Sequence, residues 1–488
     1  MPEQSLKQRT YIGFIWNFID RFSFQFIQIA LQLILMKILL PSDFGLIGTA
    51  TIFLIISSIF VDSGLSNALI QKKDRTEVDF STVFYFNLSV CLICYLIIFI
   101  CAPYISIFFN TPELTPVIRV LFLKIVIGAF ASVQSVKLRI ALEFRKTAVC
   151  NLLAVVISGG VGVWMAYSGY GVWALVSQSI LSSIVSLIVL TAFVRWKPLL
   201  VFSKTSFKKL FGFGSKLLGA SLIDGIADQL YIFMLGRYYT KDQVGFYTRG
   251  ILIPTTVSSF LLSVIEHVTY PVLTSIQDNR EYMISISRRL YRMVSFLNIP
   301  AMVGLAFIAE PFVRYILTDK WMPAVVLMQW ICFARIFTPM CILNLSLLNA
   351  IGRSDFYLKI NLIRFPLVII ALVIAIPYGL KAIIISQFIM AVINFLINST
   401  ITGRMFKYGT VEQIKDMFPA ILYSAIMFVV LVATTSGIHH DLTKIIVSIV
   451  VGVMSYLIVS ILFKSKEIAE IRLLLMDSYM KIRKEKKS

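Results

Sequence analysis

Charge is what this chain has least of. Of its 488 residues only 14% are Asp, Glu, Lys or Arg, while 58% are hydrophobic, and the mean hydropathy is +0.86. A water-soluble domain carries charge at about a quarter of its positions, so this composition excludes a solvated surface of that size. Acidic residues are the scarcer sign, 25 against 45 basic, for a net charge of +20. That excess does not imply nucleic acid, because the Lys and Arg fall between apolar runs, where cytoplasmic loops of membrane proteins collect them. The six cysteines carry no redox or metal message. Cys91 and Cys94 form a CxxC with no second pair nearby, inside an apolar run, and read as core residues. Also missing are an HExxH, a Walker motif, a DxD and a soluble domain, so no enzyme, metal or cofactor is expected. Gly212-Phe213-Gly214-Ser215-Lys216 has the wrong spacing for a phosphate loop.

What is present is a series of long apolar runs. A helix needs roughly 20 apolar residues to cross hydrocarbon, and the runs predict about fourteen spans. They are placed at 11–36, 44–61, 80–102, 114–136, 148–167, 172–194, 210–235, 244–270, 290–309, 324–348, 358–377, 381–402, 418–437 and 442–463. The first run is too long for a removable signal peptide and reads as a permanent span. The loops test the count. One alternate set holds Lys7, Lys72, Arg75, Lys137, Arg145, Arg195, Lys208, Arg288, Arg292, Arg353 and Arg404, whereas loops 41–43, 110–116, 168–171, 240–243, 318–323, 378–379 and 439–441 hold few basic residues. Both termini are therefore predicted cytoplasmic. The basic tail from Lys464 has apolar residues at helical spacing and predicts an amphipathic helix on the cytoplasmic surface.

An internal repeat divides the spans. Tyr170-Gly171-Val172-Trp173-Ala174 opens the sixth span and Tyr378-Gly379-Leu380-Lys381-Ala382 the twelfth. Pro41-Ser42-Asp43-Phe44-Gly45 precedes the second, and Lys241-Asp242-Gln243-Val244-Gly245 the eighth. Two six-helix lobes related along the membrane normal give such a pattern. The expected organisation is a first lobe at 1–203, a second at 204–409, two further helices at 410–463 and the tail at 464–488. The fold class is all-α integral membrane.

Polar residues at membrane depth face a cavity or a partner, because lipid offers them nothing. Asn17, Arg21, Gln25, Gln28 and Gln32 form one stripe of the first span, read as a cavity wall or as interhelical hydrogen-bonding glue. Lys124, Lys216, Arg249, Arg335 and Arg364 add cations, and Arg335 stands furthest from either end of its span. Together with Arg21 they suit a diphosphate, arginine offering two parallel bonds to phosphate oxygens. For the residues near span ends, snorkelling to a headgroup is the plainer reading. Asp224 and Asp228 lie one turn apart, and without a counter-ion cannot both stay charged. With Asp20 and Glu266 they are ion-coupling candidates, or else partners in structural ion pairs.

Some stretches also carry a resemblance. Leu39-Leu40-Pro41-Ser42-Asp43-Phe44-Gly45-Leu46, Asp62-Ser63-Gly64-Leu65-Ser66-Asn67-Ala68-Leu69-Ile70-Gln71, Glu143-Phe144-Arg145-Lys146, Gly171-Val172-Trp173-Ala174-Leu175-Val176 and Asn349-Ala350-Ile351-Gly352-Arg353 together resemble the Wzx-type polysaccharide exporters. These belong to the multidrug/oligosaccharidyl-lipid/polysaccharide exporter superfamily, and the resemblance lies near its colanic-acid and teichuronic-acid branch. It implies two six-helix lobes in a V and a cationic central cavity. It implies a flippase in the bacterial inner membrane that moves undecaprenyl-diphosphate-linked oligosaccharide to the periplasmic leaflet. A proton or sodium gradient would drive it, and polymerase or export proteins would be its partners. The alternatives are a MATE-like antiporter of drugs or metabolites, and, remotely, a glycan polymerase or ligase.

Overall fold

In hydrocarbon a peptide group finds no water to bond, so a spanning chain must satisfy its own N–H and C=O groups, and a helix does so within one segment. The computed structural model describes residues 24–62, 65–72, 74–276, 279–353 and 355–470, and every regular element among them is helical. In order these are α1 (Phe24–Ile38), α2 (Pro41–Asp62), α3 (Leu65–Gln71), α4 (Glu77–Phe108), α5 (Leu114–Leu121), α6 (Leu123–Ile140), α7 (Phe144–Tyr167) and α8 (Val172–Val194). There follow α9 (Lys204–Tyr238), α10 (Lys241–Gly250), α11 (Leu252–Ser275), α12 (Arg280–Phe312), α13 (Pro323–Ala350), α14 (Asp355–Ala375), α15 (Leu380–Phe406), α16 (Thr410–Thr435) and α17 (Asp441–Leu462). Among the described residues, eleven helical stretches are long and apolar enough to cross a membrane, and α1 is a shorter apolar helix. The chain is a multi-pass, all-helical membrane protein.

Two expected spans are each two helices. The fourth breaks at Phe122 between α5 and α6, and the eighth at Ile251 between α10 and α11. The first has no proline or glycine to announce it, while the second follows Gly250 and precedes Pro254. Other helices outrun their expected spans: α12 has 33 residues, about 50 Å of helix against a hydrocarbon thickness of about 30 Å. Its first turns carry Arg280, Arg288, Arg289 and Arg292.

The helix starts explain several of the repeated motifs. At α2, Pro41 opens the first turn, where its missing N–H costs nothing, and Asp43 Oδ2 accepts the Leu40 N–H at 3.0 Å. At α10, the repeat-related Gln243 Oε1 accepts the Thr240 N–H at 3.1 Å, and Thr240 Oγ1 accepts the Gln243 N–H at 3.4 Å. Both are N-terminal caps built from the third helical residue. Gly171 and Gly379, which open α8 and α15, both have positive φ, 54° and 91°, so each turn favours glycine. Gly352, at φ 74°, ends α13, and Arg353 then forks onto Asp355 at 2.8 and 3.0 Å at the start of α14.

By packing, the chain forms two units, 1–248 and 249–488. In the first, α8 packs on α6 and α7, α4 on α5 and α6, and α9 on α2. In the second, α12 is the hub, packing on α13, α16 and α17, while α13 also meets α11 and α15. Within the first unit the α2 and α10 backbones approach at repeat-related positions. A Cβ built on Gly45 would fall on the Lys241 carbonyl oxygen, and one built on Gly245 would fall on the Pro41 carbonyl oxygen. Each glycine meets the carbonyl four residues before the other, so the contact is reciprocal.

Within each unit, contacts gather the helix ends into two groups. In the first, Glu77 at the start of α4 binds Lys137 at the end of α6 at 2.7 Å and accepts the Trp196 indole N–H at 2.7 Å. Lys72 binds Asp79 at 2.6 Å beside them. The loops before α2, α5, α8 and α10 gather around one groove elsewhere. In the second unit Arg288, Arg289 and Arg292 meet Asp416, Glu467 and Glu470, which gathers the starts of α12 and α16 with the segment after α17. Arg314 and Tyr315 lie beside Asp441 and His440 before α17.

Prolines inside helices leave a carbonyl four residues back without its donor. Here a neighbouring helix supplies three. Pro103 of α4 frees the Phe99 carbonyl, which accepts from Arg119 Nε at 3.2 Å. Pro300 of α12 frees that of Phe296, which accepts from Tyr456 Oη at 2.8 Å. Pro339 of α13 frees that of Arg335, which accepts from Asn298 Nδ2 at 3.1 Å.

The reciprocal glycine contact predicts that Gly45→Ala and Gly245→Ala each destabilise the solubilised protein by about 1–3 kcal/mol through overpacking. The double variant should cost less than the sum, since one forced separation serves both. Gly128→Ala, where a Cβ would meet nothing within 4 Å, is the control and should leave the thermal midpoint unchanged or raise it. Asn298→Leu should cost about 1–3 kcal/mol by orphaning a buried carbonyl. Pro339→Ala in that background should restore part of the loss, because alanine returns the N–H. A thermal double-mutant cycle measures both.

Candidate functional site: cations and amides within the helices

Of the residues singled out by sequence, Asn17, Asp20 and Arg21 lie outside the described residues, as do the side chains of Lys216, Asp224 and Glu266. The rest divide between the units. Lys124, Gln25, Gln28, Gln32 and Asp228 stand in the first, and Arg249, Arg335 and Arg364 in the second.

Lys124 is in the first turn of α6, just past the break at Phe122. Its side chain is exposed, and Nζ donates to Ser179 Oγ of α8 at 3.1 Å. Ser179 heads a stripe with Ser182, Ser183 and Ser186 at three- and four-residue spacing, all half-buried. Ser186 contacts Cys150 of α7, with the thiol 3.6 Å from its carbonyl oxygen. This serine stripe went unread in the sequence, although its helical spacing was the same signal that marked the glutamines of α1. Gln25, Gln28 and Gln32 share one face of α1 and are half-buried. Leu31 beside them packs where a Cβ on Gly159 of α7 would stand. Asp228, on α9, is exposed.

In the second unit Arg335 is half-buried on α13, next to Ala334 at 5% exposure and one turn from Ile331 at 0%. Its own carbonyl is the one that Pro339 frees and Asn298 holds. The turn that presents the guanidinium is therefore tied to α12 by a side-chain bond rather than by the α13 ladder alone. Arg249 is the last residue but one of α10, just before the break at Ile251, and the next residue, Gly250, lies against Ala324, Leu327 and Met328 of α13. Arg364 lies two residues before Pro366 in α14. Both are half-buried.

Buried amides and a carboxylate hold the hub. Gln413 Oε1 accepts from Tyr291 Oη at 2.7 Å and Asn344 Nδ2 at 3.0 Å, while its Nε2 donates to Asn344 Oδ1 at 2.8 Å and to the Tyr408 carbonyl at 3.2 Å. Asp416, one turn on, takes Arg288 in a two-point grip at 3.0 and 3.2 Å, Tyr408 Oη at 3.0 Å and Arg292 at 3.5 Å. Sequence reading counted Arg288 and Arg292 only as loop charges. Their one-turn spacing at the head of a span was the available sign that they share a partner. This cluster is a brace: its donors and acceptors satisfy one another.

Among the described residues no group of three or more His, Cys, Asp or Glu could hold a metal. The polar groups at membrane depth are cationic or neutral donors in the main, chemistry that receives phosphate oxygens and hydroxyls.

Comparison with known proteins places the chain in a family. The family described as polysaccharide biosynthesis protein matches residues 34–326. The chain is similar to the teichuronic acid biosynthesis protein TuaB of Bacillus subtilis, 22% identical over 93% of this chain and 95% of that protein. It is also similar to the lipopolysaccharide biosynthesis protein WzxC of Escherichia coli, 24% identical over 76% of each. Its fold resembles that of the lipid II flippase MurJ in an inward closed conformation, with a TM-score of 0.73 over 92% of this chain and 98% of that one at 16% identity. An inward-facing MATE multidrug transporter is more distant, with a TM-score of 0.62 over 79% of this chain and 96% of that one. With the family match covering 34–326 of 488 residues, the chain belongs to the polysaccharide biosynthesis protein family.

Proposed function

We propose that this chain flips undecaprenyl-diphosphate-linked oligosaccharide repeat units from the cytoplasmic to the periplasmic leaflet of a bacterial inner membrane. The observation that carries the reading is cationic side chains at membrane depth on apolar helices, foremost Arg335, in a chain whose relatives are named for surface-polysaccharide biosynthesis. A diphosphate is the part of such a substrate that hydrocarbon tolerates least, and guanidinium groups are its natural partners. A flippase makes and breaks no covalent bond, which accords with relatives that are transporters. The likeness to a lipid II flippase supports a lipid-linked cargo over the soluble cations taken by drug antiporters, and the basic excess at depth points the same way.

The organisation that goes with this reading has fourteen spans. They form a lobe at 1–203, a lobe at 204–409, two added helices at 410–463 and a basic tail at 464–488, with both termini cytoplasmic. The alternation of basic and base-poor loops along the sequence supports that orientation. Arg21, Lys124, Lys216, Arg249, Arg335 and Arg364 would contact the anionic headgroup, and Asn17, Gln25, Gln28 and Gln32 would wall the path. Coupling to a proton or sodium gradient falls to Asp20, Asp224, Asp228 and Glu266. Polymerase and export proteins are the partners that receive the product.

Deleting the gene should leave undecaprenyl-diphosphate oligosaccharide on the inner leaflet and remove the surface polymer, as read by mass spectrometry of extracted lipids and by surface glycan staining. Unchanged glycans with new drug sensitivity would instead assign the chain to the antiporters. Arg335→Ala should lower export roughly tenfold or more, the scale of one charge-assisted contact, at normal protein level. Arg335→Lys should fall between, keeping the charge and losing the two-point geometry. Full activity of Arg335→Ala would confine that side chain to packing.

A further inference from the structure

The loops that gather at the end of the first unit away from Glu77 and Lys137 enclose a groove of about 480 Å³, lined in part by Ser42, Asp43, Glu113, Tyr170, Trp173 and Lys241. That size falls within the range of about 300–1,000 Å³ typical of small-molecule sites. We propose that the groove binds a neutral pyranose ring of the carried oligosaccharide, with Tyr170 and Trp173 as stacking faces and Ser42 and Asp43 as hydroxyl partners. The proposal rests on the transport reading above, and adds to it a place where sugar, rather than diphosphate, is held.

Charge selects the ligand class. Lys241 Nζ is bound to both oxygens of Glu113, each at 2.9 Å, so the cation of the groove is neutralised within it. Asp43 leaves the lining acidic, which disfavours a phosphate and suits hydroxyl donors. One oxygen of Asp43 accepts the Leu40 N–H at 3.0 Å. The other, Oδ1, faces Gly171, where a Cβ would stand 3.3 Å away, so glycine at 171 keeps carbon off that oxygen.

The aromatic pair supplies the other half of a sugar site. Tyr170 is 53% exposed and Trp173 36% exposed, so flat apolar faces border a polar hollow, matching a pyranose with its apolar C–H faces and hydroxyl rim. Aromatic residues at a membrane boundary are ordinary in themselves. These two are presented by a hydrogen-bonded turn: the Tyr170 N–H bonds the Met165 carbonyl at 3.2 Å and the Trp173 N–H bonds the Tyr170 carbonyl at 3.1 Å. Gly169 and Gly171, at φ 83° and 54°, hold that turn in a conformation closed to other residues without strain. The backbone that carries the two rings is thus set before any ligand arrives. The repeat adds an independent argument. Its second copy keeps Tyr378-Gly379 but carries Lys381 where Trp173 stands. The turn is common to both copies, and the paired rings belong to the first alone.

The test uses the full-length protein in nanodiscs. The probe is the oligosaccharide released by mild acid from the lipid-linked pool that accumulates in the deletion strain. Saturation-transfer NMR should show sugar protons in contact with the wild-type protein. Tyr170→Ala with Trp173→Ala should weaken binding roughly tenfold, the scale of losing one or two stacked faces, while Trp173→Phe retains most of it. Arg335→Ala should bind the lipid-free sugar as the wild type does. In cells the double variant, at normal protein level, should accumulate lipid-linked intermediate. If the intermediate accumulates in the deletion strain but the released sugar shows no transfer, or binds the double variant equally, the groove is not a sugar site and the rings serve only the membrane boundary. If the deletion strain accumulates nothing, the transport reading falls, and this proposal falls with it.

Discussion

The constraint on which the structure turns is that a peptide carbonyl in hydrocarbon must be bonded by the protein itself. Ordinary helix interiors meet it without help. Each proline within a span breaks it at one predictable atom, and at Phe99, Phe296 and Arg335 the missing donor comes from another helix. Those three bonds then fix which helices are neighbours. Two of them converge on α12: Asn298 reaches from it to α13, and Tyr456 of α17 reaches into it. Add the grip of Arg288 and Arg292 on Asp416 of α16, and α12 is joined by polar bonds to each of its three main packing partners. The long reach of α12 beyond the bilayer thickness gives its arginines a place outside the lipid from which to make that grip.

Between helices in lipid there is no hydrophobic gain from association, so close backbone approach and polar bonds must do the joining. Many large apolar side chains of the spans accordingly sit outward here: Ile100 of α4 and Val429 of α16 are each 65% exposed. Several glycines, among them Gly45, Gly48, Gly159 and Gly245, sit where a neighbour approaches closely. Gly45 and Gly245 show the limiting case, where two helix backbones meet with no room for a single carbon on either side. Because the two glycines hold corresponding places in the repeat, the contact lies on a local twofold relation. That relation is a physical reason for the repeated Gly in motifs that otherwise share little.

Much of this was legible in the chain beforehand. The all-helical, multi-pass character follows from local sequence, since hydropathy is set within a few residues, whereas Asp43 and Gln243 stood in the repeated motifs without being read as caps. The break at Phe122 was not legible, because nothing in that residue interrupts a helix by itself; the break at Ile251 had signals that went unread, Gly250 before it and Pro254 three residues after it. The partner of a proline-freed carbonyl was equally hidden. The proline names the atom that needs a bond, but only tertiary packing says that Asn298, some forty positions away, provides it. The candidate site divides along the same line. Sequence supplied the chemical type and depth of Lys124 and Arg335; it could not supply Ser179 as the neighbour of one or the α12 tether of the other.

This leads to a criterion for separating structural from functional polar groups when both lie within spans. Valence is the measure. Gln413 has its amide nitrogen and oxygen both engaged with Asn344, and further bonds to Tyr291 and Tyr408, so it has little capacity left for a ligand that comes and goes. Lys124 differs: an ammonium has three donors, and among the described residues its hydrogen bond is the single one to Ser179. The remaining donors sit on an exposed side chain beside a row of serine hydroxyls. A moving anionic cargo needs such partly committed groups, held in place by one bond and offering others, because a fully satisfied site would have to break protein bonds at every step of passage.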